Sequence, residues 1–458
     1  MSRIVMASNR VADPTKGVRS GGLAVALGDA LRENGGLWFG WDGEIADASS
    51  ANRIAVDRSG PYATATLSLT QPELDGYYNG MSNNVLWPVL HYRLDLARHD
   101  AAYLAAYRQV NARFADTLTG LVTPDDIIWV HDYHLFPLGS ELRARGCGNA
   151  IGFFLHIPFP PPDILRALPD CDWLVRSIFS YDVVGFQTAA DVSNFLRYMV
   201  ENDNAEVGPD NRVTAFGRTI TVKPYPIGID TEAFREMARS EEASSVIERI
   251  QRRTTEAAQI IGVDRLDYSK GLPERFTAFE RLLENYPENQ KRLTLMQIAP
   301  PTRENVDAYS DIREQLEGLS GAINGRFADF DWTPIRYIHR NVQRNTLAAL
   351  FRGSRIGLVT PLRDGMNLVA KEYVAAQDDD DPGVLVLSKF AGAAEQMTNA
   401  LLVNPYDTSE VAEALQLAMT MSRKDRVMRQ RALYETILES DVERWRQRFL
   451  ADLREARR

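Results

Sequence analysis

A chain of 458 residues, 45% hydrophobic and 25% charged, is long enough for two domains or three, and this balance argues against disorder. Its 52 basic residues are outnumbered by 62 acidic ones, a formal charge of −10, which disfavours a general binder of nucleic acid or of an anionic membrane. The two cysteines, Cys147 and Cys171, form no CxxC pair, so buried free thiols are expected rather than a disulfide scaffold or a thiolate zinc site. The opening "MSRIVMASNR" lacks the apolar region of a signal peptide, and no run approaches the roughly 18 apolar residues of a membrane span; a cytoplasmic enzyme or binding protein is expected.

Along the chain a short apolar run repeatedly gives way to polar residues, Gly or Pro. "RIVMA" leads to Ser8-Asn9-Arg10, "DIIWV" to His131-Asp132-Tyr133-His134, "IGFFL" to His156-Ile157-Pro158 and "VVGF" to Gln187-Thr188. The polar "ENDNAEVGPDNR" at 201–212 predicts a surface loop, and "YPIGID" a Pro/Gly turn with a domain boundary near Gly228. Beyond it "QIIGV" leads to "DRLDYSKG", "LTLMQIA" to "PPTRE", "IGLV" to "TPLRDGMN", "VLVL" to "SKFAGAAEQ" and "ALLV" to "NPYD". Apolar runs without polar alternation suit strands buried on both faces. Helical patterns such as "PERFTAFERLLENY" and "SEVAEALQLAMTM" separate them, which predicts parallel α/β sheets whose C-terminal strand ends hold the ligand. The last stretch puts Val442, Trp445, Phe449, Leu450 and Leu453 on one helical face that should dock.

Two stretches and one scattered set of residues could carry chemistry, and the two stretches suit an anion. In "LVTPLRDGMNLVAKEYVAAQ" (358–377) the apolar positions 366, 369, 370, 373 and 374 predict a helix starting near Met366–Leu368. Its first N–H groups have no intrahelical partner and suit an anion, although for this stretch taken alone an ordinary strand–turn–helix with Asn367 as N-cap is the preferred reading. "DRLDYSKGLPERF" (264–276) also joins a strand to a helix, opening near Pro273, and offers Arg265 and Lys270 to a diphosphate. A scattered third set comprises Arg10, the Gly21-Gly22 pair, Tyr78, Trp87 and Arg303. His131, His134 and Asp132 have the makings of a metal site, but the Glu of an HExxH motif is absent and no metal is expected. The "DFD" at 329–331 and the "DDDD" at 378–381 have the look of metal-nucleotide carboxylates, but the latter is better read as a solvated turn.

"LWFGWDGE", "VLWPVLHYR", "WVHDYHLFPL", "FFLHIPFP", "GFQT", "YPIGID", "DRLDYSKGLPERF", "QIAPPTRE" and "TPLRDGMNLVAKEYVAAQ" together closely resemble the trehalose-6-phosphate synthases, retaining glycosyltransferases of family 20, from residue 3 to beyond 440. The resemblance implies an α/β GT-B fold: two Rossmann-like domains facing across a cleft. The N-terminal acceptor-binding domain would span 1–227, the nucleotide-sugar-binding domain 228–439, and the helix at 440–458 would cross back to the first. The implied reaction moves glucose from UDP-glucose to glucose 6-phosphate, giving α,α-trehalose 6-phosphate and UDP, without cofactor or metal.

By position, the resemblance puts the donor diphosphate on Arg265, Lys270, Gly22 and the N–H groups of Asn367, Leu368 and Val369, with Glu372 on the ribose. Asp364 and His156 meet the donor glucose; Arg10, Trp41, Tyr78, Trp87, Asp132 and Arg303 meet the acceptor, with Arg10 and Arg303 on its phosphate. Arg344 counts among the donor residues and also among those around the acceptor. Asp132, His156, Arg265, Lys270 and Asp364 form the catalytic set, with same-face attack through a short-lived ion pair favoured over a covalent glycosyl-enzyme. The resemblance involves no nucleic acid or membrane and admits a homo-oligomer, dimer or tetramer. A family member using ADP-glucose and glycerol 3-phosphate, or a non-catalytic sugar-phosphate sensor, stays open, and Lys371 and Arg363 have no role.

Overall fold

The computed structural model describes residues 2–11, 28, 31–32, 35–251, 257–302 and 307–457; Gly21, Gly22 and Arg303 lie outside the described residues. The chain divides into two compact units, one of Met1–Pro226 with Glu443–Arg458 and one of Ile227–Val442. Among the described residues, no helix is long and apolar enough to cross a membrane.

In the first unit, ten strands among the described residues form one sheet. They are β1 (Ile4–Arg10), β2 (Gly36–Ile45), β3 (Ala55–Asp57), β4 (Ala63–Leu69), β5 (Ile127–His131), β6 (Ala150–Phe154), β7 (Val183–Phe186), β8 (Glu206–Val207), β9 (Arg212–Ala215) and β10 (Arg218–Pro224). Their order is β3-β4-β2-β1-β5-β6-β7-β10-β9-β8. From β4 to β10 neighbours run parallel, and antiparallel pairs close both edges. The unbroken apolar runs became the inner strands β1, β5, β6 and β7, buried along nearly their whole length. The polar 201–212 stretch is more ordered than a loop. It completes the helix Ala189–Asp203, forms β8 and turns through Pro209–Asn211. Edge pairing uses only backbone groups, so exposed polar side chains do not prevent it.

The helix Val442–Ala456 buries Trp445, Phe449, Leu450 and Leu453 against this unit. The Phe449 ring stacks on Trp129 at 4.6 Å and meets Tyr225 edge-on at 5.0 Å. Gly152 and Gly185 make room for it: a Cβ on either would lie 2.7 or 2.9 Å from that ring.

The second unit has six parallel strands among the described residues: β11 (Ala258–Val263), β12 (Leu293–Ile298), β13 (Ile335–Ile338), β14 (Ile356–Val359), β15 (Val384–Ser388) and β16 (Leu401–Val403). Their order is β13-β12-β11-β14-β15-β16, which is the doubly wound 3-2-1-4-5-6 arrangement. The predicted helices are Leu272–Asn285, which buries Leu272, Phe276, Phe279, Leu282 and Leu283, and Thr408–Thr420, N-capped by Asp407. The acidic run is a surface turn tied by arginines: Asp381 to Arg426 at 2.5 Å, and Asp379 to Arg239 at 2.7 Å.

Strand order marks a switch point in each sheet, the place where open α/β sheets bind ligands. The order of winding reverses next to the first strand, and in open α/β sheets the loops leaving the C-terminal ends of the two strands at such a point diverge and leave a crevice. In the second unit those are the loops after β11 and β14, carrying Arg265, Lys270, Asp364 and Asn367. In the first unit β1 ends at Arg10 and the segment after β5 carries Asp132, with His156 after the adjacent β6.

Candidate functional site

Two hydrogen bonds from the β14 loop, Leu362 N–H at 2.8 Å and Arg363 N–H at 3.4 Å to the Ser269 carbonyl, tie the central loops of the second unit together. Gly271, at φ 64°, lets the β11 loop pass the Thr360 carbonyl, which a Cβ would approach to 2.5 Å. Asp267 is buried and accepts from Ser269 N–H at 2.9 Å and from the Tyr309 hydroxyl at 3.1 Å. Beneath the loop, buried Arg275 donates to Asp264 at 2.7 Å, Gln297 at 2.8 Å and Thr360 at 3.1 Å. Burial raises the Asp264 pKa, and Arg275 opposes this.

On this scaffold Lys270 Nζ lies 2.5 Å from Asp364 Oδ2, which also accepts from Asn367 Nδ2 at 3.0 Å. Asn367, at φ 75°, caps the helix Leu368–Ala376 by accepting from Ala370 N–H at 3.3 Å. The N–H groups of Leu368 and Val369 therefore start the helix beside a mutually satisfied cation and carboxylate, an arrangement with the chemistry to hold an anion. Val369, predicted on the buried face, is half-buried. Glu372, in the same helix, lies 3.7 Å from Arg344, which itself lies over Phe234. Burial raises the Glu372 pKa to about 7 against the pull of Arg344. Arg265 is exposed at the loop's start.

In the first unit, Arg10 lies over the Trp41 ring at 5.7 Å and crosses the backbone of Gly43, where a Cβ would fall 2.3 Å from its guanidinium. Trp41 packs on Tyr78 at 5.5 Å, and Tyr78 stacks on His134 at 5.9 Å and 11°. Trp87 is buried against His91 and Tyr133. Tyr78 belongs to a wide-turned π-helical stretch, Leu74–Leu86, followed directly by Trp87. Such turns occur mostly as short bulges, often at functional sites.

Asp132 holds φ 76° and ψ 164°, a region that other residues leave to glycine. Its carboxylate accepts from His156 N–H at 3.3 Å, and its own N–H donates to the Phe154 carbonyl at 2.8 Å. His131 Nδ1 lies 3.1 Å from His156 Nε2. Burial depresses both imidazoles, His131 well below its ordinary value and His156 to about 3, so both are neutral near pH 7.

Arg10, Trp41, Tyr78, Trp87, Asp132 and His156 thus belong to the first unit, and Arg265, Lys270, Arg344, Asp364, Asn367, Leu368, Val369 and Glu372 to the second. Among the described residues no three His, Cys, Asp or Glu side chains converge on a metal-sized cluster. His131, read from sequence as a partner of His134, turns instead to His156. Adjacent parallel strands bring the two rings to one sheet edge, a proximity visible once β5 and β6 are paired. Arg275 and Lys371 were also missed, because a charge inside an apolar helical pattern gives no sign of its partner.

The glycosyltransferase family 20 profile matches residues 6–455. A curated trehalose-6-phosphate synthase of Klebsiella pneumoniae is 49% identical over 454 residues, covering 99% of this chain and 95% of that one. A UDP-forming α,α-trehalose-phosphate synthase from Burkholderia xenovorans, solved with glucose-6-phosphate, superposes with a TM-score of 0.95 at 49% identity over 99% of this chain and all of that one. An Escherichia coli structure bound with UDP-2-fluoro glucose superposes at 0.94 and 46% identity over 99% of each chain. With matches that run nearly end to end in sequence and in fold, the chain belongs to glycosyltransferase family 20, with the two Rossmann-like units of the GT-B class.

Proposed function

We propose that the chain transfers glucose from UDP-glucose to glucose 6-phosphate with retention, releasing UDP and α,α-trehalose 6-phosphate. The observation that carries this reading is the cluster of Lys270, Asp364 and Asn367 on the first turn of the Leu368–Ala376 helix, at the switch point of a doubly wound sheet. Expulsion of a nucleoside diphosphate builds negative charge on the leaving oxygen, and groups fixed where charge develops lower the barrier most. Lys270, Arg265 and the helix start supply that positive field, and Glu372 accepts from the ribose hydroxyls. Asp364 already accepts from Lys270 and Asn367, which suits a group that positions glucose better than a free nucleophile. The acceptor hydroxyl then attacks the face that UDP leaves and passes its proton to the departing phosphate oxygen. Arg10, Trp41, Tyr78, Trp87 and Asp132 hold the acceptor, with Arg10 on its phosphate; Arg303 serves the same phosphate in this reading. His156 hydrogen-bonds a donor glucose hydroxyl.

The test is UDP release from UDP-glucose with glucose 6-phosphate, with the product's anomeric configuration read by NMR. An α,α-linked product is expected, with turnover unchanged by EDTA. Preference for ADP-glucose with glycerol 3-phosphate, or no turnover with any pair, would overturn the assignment.

A further inference from the structure

A neutral imidazole has one N–H and one lone pair, so one ring of the His131–His156 contact must donate and the other accept. If His156 Nε2 donated, His131 would carry its proton on Nε2. That nitrogen is fully buried and has no hydrogen-bond partner. The indole rings beside it, Trp129 at 4.6 Å and Trp445 at 6.4 Å, already hold buried N–H groups without partners. A third orphaned donor there costs more than an unused lone pair. Hence His131 donates from Nδ1 to His156 Nε2, and His156 carries its own proton on Nδ1. Nε2 of His156 is occupied by His131, which leaves Nδ1 as the nitrogen able to meet a substrate. We propose that His131 is a positioning residue that holds His156 in the Nδ1-protonated tautomer, so that His156 donates a hydrogen bond to the sugar hydroxyl rather than accepting one. This rests on the reading of His156 as a donor-glucose residue. The burial that keeps both rings neutral is what makes the choice of tautomer matter.

The full chain labelled with nitrogen-15 histidine tests this, because ring nitrogen shifts separate the two tautomers. His156 is assigned by the signal lost in His156→Gln. The unsubstituted protein should show His156 protonated at Nδ1; protonation at Nε2 would overturn the proposal without any further variant. His131→Phe should mix the tautomers and slow turnover roughly tenfold, the scale of one inverted hydrogen bond. His131→Asn, whose amide N–H replaces that of Nδ1, should restore the Nδ1 tautomer and most of the rate. In a His156→Ala background, His131→Phe should have no further effect on turnover, and an undiminished tenfold loss would count against the proposal. Wild-type turnover in His156→Ala alone would remove His156 from the donor site, a failure distinct from a wrong tautomer.

Discussion

At single residues, strain and charge mark the site. Asp132 is held at φ 76° and ψ 164°, where a side chain costs on the order of 1–3 kcal/mol and only surrounding structure keeps it. Asp132→Gly and Asp132→Ala both remove the carboxylate that accepts from His156 N–H, so their difference isolates the backbone. The Gly variant is expected to be more stable than the Ala variant by about 1–2 kcal/mol, the reverse of their order in a helix. Urea unfolding of the two proteins measures it, and equal stability would mean that the backbone relaxes without cost. Both variants should lose activity, since a positioned carboxylate is gone. Lys270 shows the electrostatic side. Its ammonium lies 2.5 Å from Asp364 and is almost buried, so its positive charge is fixed before substrate arrives. Lys270→Ala should lower turnover about 10²-fold, the usual effect of removing one preorganised stabiliser of developing charge. Steady-state UDP release measures this, and near-normal turnover would take Lys270 off the diphosphate. That a cation belonged in this loop was legible in "DRLDYSKG"; that its resting partner is Asp364, 94 positions on, was not, because the pairing arises only when β11 and β14 become neighbours.

Among elements, the sequence was most legible where strands are buried on both faces. The apolar runs ending at Ala7, Val130, Leu155, Phe186, Val263, Ala299, Val359, Leu387 and Val403 all fall on strands or end one residue past them. A strand outside those runs is a mixed one: in β10, Ile220 and Val222 are buried while Thr219, Thr221 and Lys223 alternate with them on the other face, and alternation over so few residues is a weak signal. The helix Leu368–Ala376 was legible as an apolar pattern, yet its two charges were not explained by it. Lys371 is fully buried and donates to the Ile227 carbonyl and to Gln396 Oε1, each at 2.9 Å. It therefore ties the proposed nucleotide-binding helix to the segment where the second unit begins. Burial lowers the Lys371 pKa from 10.5 to about 7 and raises that of Glu372 from 4.5 to about 7. The signs follow from which state holds more protons. Between pH 4.5 and 7 the folded chain keeps the Glu372 proton that the unfolded chain loses, so this contribution to stability falls as pH rises. Between 7 and 10.5 the unfolded chain keeps the Lys371 proton that the folded chain loses, so stability rises with pH. Over these windows each limb is on the order of 3 kcal/mol. Unfolding midpoints at about pH 5, 7 and 9 should lose the acidic limb in Glu372→Gln and the alkaline limb in Lys371→Met. Unchanged limbs would show that neither group titrates differently on folding.

On the scale of the whole molecule, the chain leaves its first unit at Pro226 and returns to it at Glu443. The apolar face of the last helix was legible from its spacing, but its seat was not. What receives it is a pair of glycines, and a missing side chain has no periodicity. Gly152 and Gly185 clear the space that Phe449 fills, and Trp129 stacks on the same ring. A segment more than 200 residues beyond Tyr225 thereby completes the core behind β5, β6 and β7, and the ends of β5 and β6 carry Asp132 and His156. The sheet that would position the acceptor then depends on the end of the chain being in place. Phe449→Ala should destabilise the first unit by about 3–5 kcal/mol, the cost of emptying a buried aromatic site. Gly152→Ala should also destabilise it, because its Cβ would lie 2.7 Å from that ring and 2.9 Å from Leu453. Combined, the two should cost less than their sum, since removing the ring makes room for the added methyl, whereas independent sites add. Urea unfolding followed by the fluorescence of Trp129 and Trp445, which lie in this packing, reads the loss. UDP binding, assigned to residues of the second unit, should survive at urea concentrations where the first has unfolded in Phe449→Ala. Additive costs would place Gly152 and Phe449 in separate surroundings. Loss of UDP binding in step with the fluorescence change would show that the second unit needs the first to stay folded.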